Sequence, residues 1–147
     1  MRNPLLLLPL LFILLSCSQD EDVTPAINNQ LQGTWIKDII RIQYYDAAGT
    51  LDYEDIVTEN KGYVYVIGVD SISVTSPYYQ ETLPYGIRRV DGKEYVFSPD
   101  DNSGQWEIVT LTNNKLIWQQ PYHRLNYSKG GAKKTASKSL LIEEFDR

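Results

Sequence analysis

The sequence predicts an all-β protein: an antiparallel meander closed into a β-barrel of about eight to ten strands. Three observations predict it. Short segments rich in Val, Ile, Thr, Tyr, Phe and Trp recur from residue 34 to residue 145. The pieces between them are short and built on Gly, Asn, Asp and Pro, the residues of tight turns. From residue 31 onward no stretch sustains the 3.6-residue spacing of an amphipathic helix. Sheets of this kind hide their edges by closing into a barrel, with a two-sheet sandwich as the alternative.

Residues 34–45 form the first strand. Ile36, Ile40, Ile42 and Tyr44 share one parity, whereas Trp35 and Ile39 fall on the other, which predicts a bulge near Lys37-Asp38. Asp46-Ala47-Ala48-Gly49 turns the chain into residues 51–58. Residues 62–69 are apolar on both parities, as in a strand with core on one side and a cavity or second surface on the other. Residues 72–75 follow, and Pro77, Pro84 and Tyr78-Tyr79 mark a loop or edge strand. Asp91-Gly92 joins residues 85–90 to 93–98 as a hairpin, because both positions of a type I′ turn need positive φ. A polar loop leads to residues 105–111, Asn113-Asn114 turns into 116–120, residues 126–139 read as a mobile Gly/Lys/Ser loop, and 140–145 close the sheet.

The segment before this domain addresses it. Arg2, the apolar run 5–15 broken by Pro9, and small Ser16 before Cys17 have the three parts of a secretory signal, residues 1–16. A run of this length falls short of the ~20 apolar residues a spanning helix needs. Leu14-Leu15-Ser16-Cys17 resembles the lipobox of bacterial lipoproteins, which implies cleavage before Cys17, acylation of Cys17 and membrane attachment through those acyl chains. The acidic run Asp20-Glu21-Asp22 resembles the export signal that places such lipoproteins on the outer face of the outer membrane; the plain reading is a solvated linker. Residues 17–30 then read as a lipidated acidic flexible tether, with the folded domain spanning 31–147.

Composition excludes several functions. Acidic residues outnumber basic ones 19 to 14, for a net charge of −5, which argues against nucleic acid as a partner. Cys17 is the one cysteine, so there is no intrachain disulfide, thiolate metal site or, once it is lipidated, cysteine nucleophile. The charge is uneven: residues 20–59 carry nine acids and two bases, and residues 108–142 carry six bases and no acid. Either one end of the fold is acidic and another basic, or the lysines simply solvate a loop.

Leu31-Gln32-Gly33-Thr34-Trp35 is similar to the opening Gly-x-Trp motif of the lipocalin superfamily. The residues from Gln105 through Trp106, Leu111 and Asn113-Asn114 to Leu116 resemble a late hairpin of lipocalin-like bacterial lipoproteins, and Ile142-Glu143-Glu144-Phe145 resembles their closing strand. The resemblance implies a barrel closed at one end, where Gly33 lets the chain swing beneath it and Trp35 plugs it. It also implies an arginine stacked on that Trp, for which Arg124 and Arg147 are both eligible. The Thr-Asp-Tyr loop motif and the cysteine pair of typical lipocalins are absent.

Candidate sites are few. His123 has no partner histidine or cysteine for a metal and reads as a surface or rim residue. Asp100-Asp101-Asn102-Ser103-Gly104 begins like a calcium loop, but Leu111 stands where the bidentate Glu is required. Asp52, Glu54 and Asp55, with Glu59, are a solvent-face cluster before they are a catalytic pair. Thus no catalytic residue, metal site or cofactor is assigned. Eleven tyrosines are the least ordinary feature. Tyr63, Tyr65, Tyr95, Phe97, Trp106 and Trp118 stand mid-strand, where a barrel directs some of them inward as a cavity wall. The expected function is a non-enzymatic binding module for a small apolar or amphipathic ligand on the outer membrane. The alternatives are an interaction subunit of an outer-membrane protein complex and, third, a hydrolase.

Overall fold

The computed structural model of the chain describes residues 25–58, 62–99 and 104–147. One helix, α1 (Pro25–Leu31), precedes β1 (Gly33–Tyr45), β2 (Leu51–Thr58), β3 (Val64–Ile67), β4 (Ser71–Thr75), β5 (Gln80–Pro84), β6 (Gly86–Val90), β7 (Lys93–Phe97), β8 (Gln105–Leu111), β9 (Lys115–Pro121), β10 (Asn126–Lys129), β11 (Ala132–Thr135) and β12 (Lys138–Asp146). The main sheet has ten strands in the order β5-β4-β3-β1-β12-β9-β8-β7-β6, with β2 also on β1, and its ladders are antiparallel. The fold is all-β, a sheet nearly closed into a barrel, with one unsealed seam between β5 and β6. The hairpin β10–β11 stands apart as its own two-stranded sheet.

Strand β1 is the hub. One edge runs along β12 from Ile36↔Asp146 to Tyr45↔Lys138. The other edge is divided: Gly33 to Ile36 pair with β3, and Ile39 to Tyr45 pair with β2. The expected bulge is present, as a register shift between Lys37 and Ile39. Its consequence is geometric. Residues directly opposite in a ladder share a face. Lys37 lies opposite Phe145, then Ile40 opposite Glu143, Ile42 opposite Leu141 and Tyr44 opposite Ser139. The bulge thus moves Ile40, Ile42 and Tyr44 onto the face that Trp35 and Lys37 occupy.

The floor of the barrel is closed by groups from both ends of the described chain. Trp35 is fully buried, and its Nε1 donates to Leu31 O at 2.8 Å. Of the two arginines eligible to stack on it, Arg147 does so, with the guanidinium carbon 4.3 Å from the ring centroid. Arg147 Nη1 donates to Asn113 O at 3.1 Å, and Nη2 donates to Gln30 O at 2.9 Å and to Gln32 O. Gly33 is required here twice over. Its φ is +134°, and a Cβ would lie 3.0 Å from Arg147 Nη2. Above this floor the core joins Leu31, Ile67, Tyr85, Val96, Leu116, Trp118 and Phe145. Phe145 meets Tyr65 and Trp118 edge-to-face, with centroids 4.9 and 4.8 Å apart. Each such pair contributes about 0.5–1.5 kcal/mol beyond area burial.

Two segments differ from expectation. Residues 25–30, read as the end of the tether, form α1. A helix of seven residues has no stability of its own. It is held by tertiary contacts: buried Leu31, the Tyr85 hydroxyl 2.9 Å from Asn28 Oδ1, and Gln30 Nε2 donating to Leu111 O at 3.2 Å. Pro25 at its start suits a first helical position. Residues 126–135, read as a mobile loop, form the hairpin β10–β11. Gly130 and Gly131 both have positive φ, +59° and +81°, as a tight two-residue turn needs. The Asp91-Gly92 turn is as expected, with φ of 52° and 75°. Residues 1–24, which include Cys17 and the acidic run, lie outside the described residues, as do 59–61 and 100–103.

Candidate functional site

The inner wall of the barrel carries one buried ion pair. Lys37 on β1 is 5% exposed and Glu143 on β12 is 6% exposed. Lys37 Nζ lies 3.1 Å from Glu143 Oε1, and Trp118 Nε1 donates to the other carboxylate oxygen at 2.9 Å. The ammonium also stands 4.1 Å from the Tyr63 ring centroid and 5.7 Å from that of Tyr65. Burying two charges costs several kcal/mol per ion, and only a satisfied geometry offsets that. Here both carboxylate oxygens are taken and the cation faces two aromatic rings. Neither residue stands out by type in the sequence. Parity was the available signal, since Lys37 is two residues from Trp35 and Glu143 two from Phe145.

Beside this pair lies a cavity of about 170 Å³. Tyr65, Ile72, Val74, Leu83, Pro84, Tyr85, Val96, Phe97, Ser98, Gly104, Trp106, Trp118 and Glu143 line it. The wall draws on β3, β4 and β5 on one side and on β7, β8, β9 and β12 on the other, so the cavity lies behind the seam. The wall is mostly apolar. Among its polar residues are Glu143 and Ser98, whose Oγ is a buried hydroxyl with no hydrogen-bond partner among the described residues.

The six aromatics singled out in the sequence divide between faces. Tyr65, Trp106 and Trp118 form the inner wall, with Trp106 and Trp118 centroids 5.4 Å apart. Phe97 borders the cavity, and its ring lies over Gly86, where a Cβ would sit 2.8 Å away. Tyr63 covers Lys37 and meets Tyr79 edge-on rather than lining the cavity. Tyr95 points away from it. Its neighbour Val96 is buried opposite Trp106, so alternation places Tyr95 outside, opposite Glu107 and among Lys93, Gln105 and Gln119.

A second, larger concavity of about 680 Å³ lies between the upper part of β1 and β2 and the hairpin β10–β11. It shares no lining residue with the cavity. Tyr44, Tyr53 and Tyr127 stand nearly parallel in it, with Tyr127 4.6 Å from Tyr44 and 5.5 Å from Tyr53. Asp52 clamps the hairpin to β2. Lys129 Nζ reaches its Oδ1 at 2.8 Å, Lys134 Nζ its Oδ2 at 3.1 Å, and the Tyr127 hydroxyl donates to Oδ2. The acidic and basic halves of the chain therefore meet in direct pairs.

The other candidates resolve singly. Glu54 bonds Arg41 and Gln43, Asp55 lines the larger concavity, and His123 is exposed. Glu59 and residues 100–103 lie outside the described residues. Among the described residues no group of three or more His, Cys, Asp or Glu could hold a metal ion, and no helix is long and apolar enough to cross a membrane. No protein-family model, curated protein or solved structure matches the chain.

The clamp sets a pH window. Hydrogen bonds from Lys129, Tyr127 and Lys134 hold the Asp52 carboxyl far below the usual carboxylate range. The bond to Asp52, with burial second, pushes the Tyr127 hydroxyl up to about 12. A lowered acid stabilises the folded state above its ordinary value of 3.8, and that contribution fades as pH falls below it. A raised phenol stabilises the folded state below its ordinary value of 10.0, and that contribution is lost as pH rises through about 12. The hairpin is therefore expected to stay docked from about pH 4 to pH 10. Nuclear Overhauser contacts between the Tyr127 and Tyr44 rings report it. They should weaken below pH 4 while core contacts of Trp35 persist, and Asp52→Asn should weaken them at neutral pH. Ring contacts in the Asn variant that match wild type would contradict the clamp.

Proposed function

We propose that this protein is a cell-envelope lipoprotein whose lipocalin-like barrel holds one small apolar or amphipathic molecule without transforming it. The observation that carries the reading is the cavity: an aromatic-walled space inside a barrel, left open, with a Ser98 hydroxyl at its wall that has no partner among the described residues. Its size bounds the ligand. Pockets for drug-sized molecules run from about 300 to 1,000 Å³, whereas a cavity of about 150 Å³ takes benzene. At about 170 Å³ the space suits a single ring. Trp106 and Trp118 stand in its wall, and Ser98 Oγ offers one hydrogen bond, so a ring bearing one hydroxyl or amine suits it better than a bare hydrocarbon. An unfilled interior favours this reading over an interaction subunit. Nothing positive points to enzymatic activity.

Titration of ¹⁵N-labelled protein with phenol and with benzene tests the ligand. Amides of Tyr65, Val96 and Ser98 and the indole signals of Trp106 and Trp118 should shift, with phenol binding more tightly than benzene. Val96→Phe should fill the space and abolish both shifts, at a cost of about 1–3 kcal/mol in stability. Binding by the Phe variant equal to wild type, or no shift at these residues with either probe, would remove the cavity from the account.

The attachment rests on Leu14-Leu15-Ser16-Cys17. Acyl chains at Cys17 would contribute about 0.8 kcal/mol per buried methylene, and two chains already anchor stably. Protein recovered from membranes of the producing bacterium should carry the acyl mass on an amino-terminal Cys17 peptide, and Cys17→Ala should be released by washing. Retention of the Ala variant in the outer membrane would rule the anchor out.

A further inference from the structure

We infer that the concavity beneath the hairpin β10–β11 is a second binding site, selective for a planar ring that carries an anionic group. Its wall is aromatic: Tyr44, Tyr53 and Tyr127 lie within 9° to 25° of parallel. Tyr44 is buried beneath the other two, so the aromatic surface left for a planar ligand is that of Tyr53 and Tyr127, which are both half-buried. Its charge is unspent. Arg124 and Lys133 line it, both are exposed, and neither has an ion-pair partner among the described residues. The third cation, Lys134, is already committed to Asp52. One carboxylate, Asp55, also lines the site, so two free cations face one anion in a chain whose net charge is −5. That local excess of positive charge runs against the whole molecule, where repulsion of anions would otherwise dominate. Arg124 offers a planar fork that fits a carboxylate or phosphate with two parallel bonds. Asn126, Ser128 and Thr135 add hydroxyl and amide groups at the same wall. The volume of about 680 Å³ admits a ligand well beyond one ring, which the barrel cavity does not.

The hairpin makes this site and the Asp52 clamp positions it. Arg124 precedes β10, and Lys133 and Thr135 stand on β11. Asp52 holds Lys129, Lys134 and Tyr127, whereas Lys133, opposite Ser128 in the ladder, stands on the other face of the hairpin and takes no part in the clamp.

The test uses three probes on the full-length ¹⁵N-labelled protein: phenyl phosphate, and its two halves, phenol and inorganic phosphate. Phenyl phosphate should shift amides of residues 53–55 and 124–135, and should bind at least tenfold more tightly there than either half. Phenol alone should shift the cavity residues instead. Arg124→Gln with Lys133→Gln should weaken phenyl phosphate at least tenfold, the loss of one charge-assisted bond. Val96→Phe, which fills the cavity, should leave this affinity unchanged, so failure of the cavity reading and failure of this one are separable. Inorganic phosphate binding as tightly as phenyl phosphate would overturn the role of the ring. Wild-type affinity in the double Gln variant, or shifts confined to the cavity, would overturn the site.

Discussion

The ion pair between Lys37 and Glu143 is the contact on which the rest of the barrel depends. It joins β1 to β12 across 106 residues of sequence, inside a wall that is otherwise aromatic. A buried ammonium without its carboxylate, or the reverse, would be an unpaired charge in a low-dielectric interior. The pair therefore fixes register as well as contributing energy. Sliding β12 by one residue would place Glu144 opposite the wrong face and strand both charges. Trp118 then takes its orientation from the second carboxylate oxygen, and Trp106 packs against Trp118. The cavity wall is in this sense an extension of the ion pair.

The bulge at Lys37–Ile39 links that level of the barrel to the one above it. Below it, β1 shares its edge with β3 and the core is rich in aromatic rings. Above it, β1 shares its edge with β2, and the same face carries Ile40, Ile42 and Tyr44 toward the hairpin. One strand thus lines the upper of two differently built spaces with Tyr44 and reaches the lower through the bond from Lys37 to Glu143. The lower is small, apolar and ringed by tryptophans. The upper is larger and open, with tyrosines and with two cations, Arg124 and Lys133, that have no ion-pair partner among the described residues. Across the outer face, Arg41 joins Glu54 on β2 to Glu144 on β12 and ties the same three strands together from solvent.

The barrel was legible because its signals are local. Asp91-Gly92 and Gly49 announce turns, and the split of apolar residues between the parity of Trp35 and Ile39 and that of Ile40, Ile42 and Tyr44 announces the bulge. The floor was half legible: Gly33 and Trp35 stand out, but only packing distinguishes Arg147 from Arg124. Residues that owe their structure to distant partners were not. The helix α1 exists because Tyr85, Leu111 and Arg147 bond it, from 57 to 117 residues away. The hairpin β10–β11 had a readable Gly-Gly turn, yet its lysines read as solvated because their partner, Asp52, lies 77 and 82 residues earlier. The candidate cavity was legible in kind and not in detail. Tyr65, Trp106 and Trp118 reach it, whereas Tyr95 faces outward, because strand alternation fixes parity and tertiary pairing decides which parity is inside.

The claim that the barrel is organised around the buried pair is tested most directly by a double-mutant cycle on Lys37→Met and Glu143→Gln, read by chemical denaturation. Each single change leaves one buried group uncompensated and is expected to cost about 3–5 kcal/mol. Together they leave no unpaired charge, and the amide oxygen introduced by Glu143→Gln can still accept from Trp118, so the double variant should recover much of that loss. A coupling energy of several kcal/mol is the expected result. Singles that each cost under about 1 kcal/mol, the range of an exposed surface pair, would contradict it.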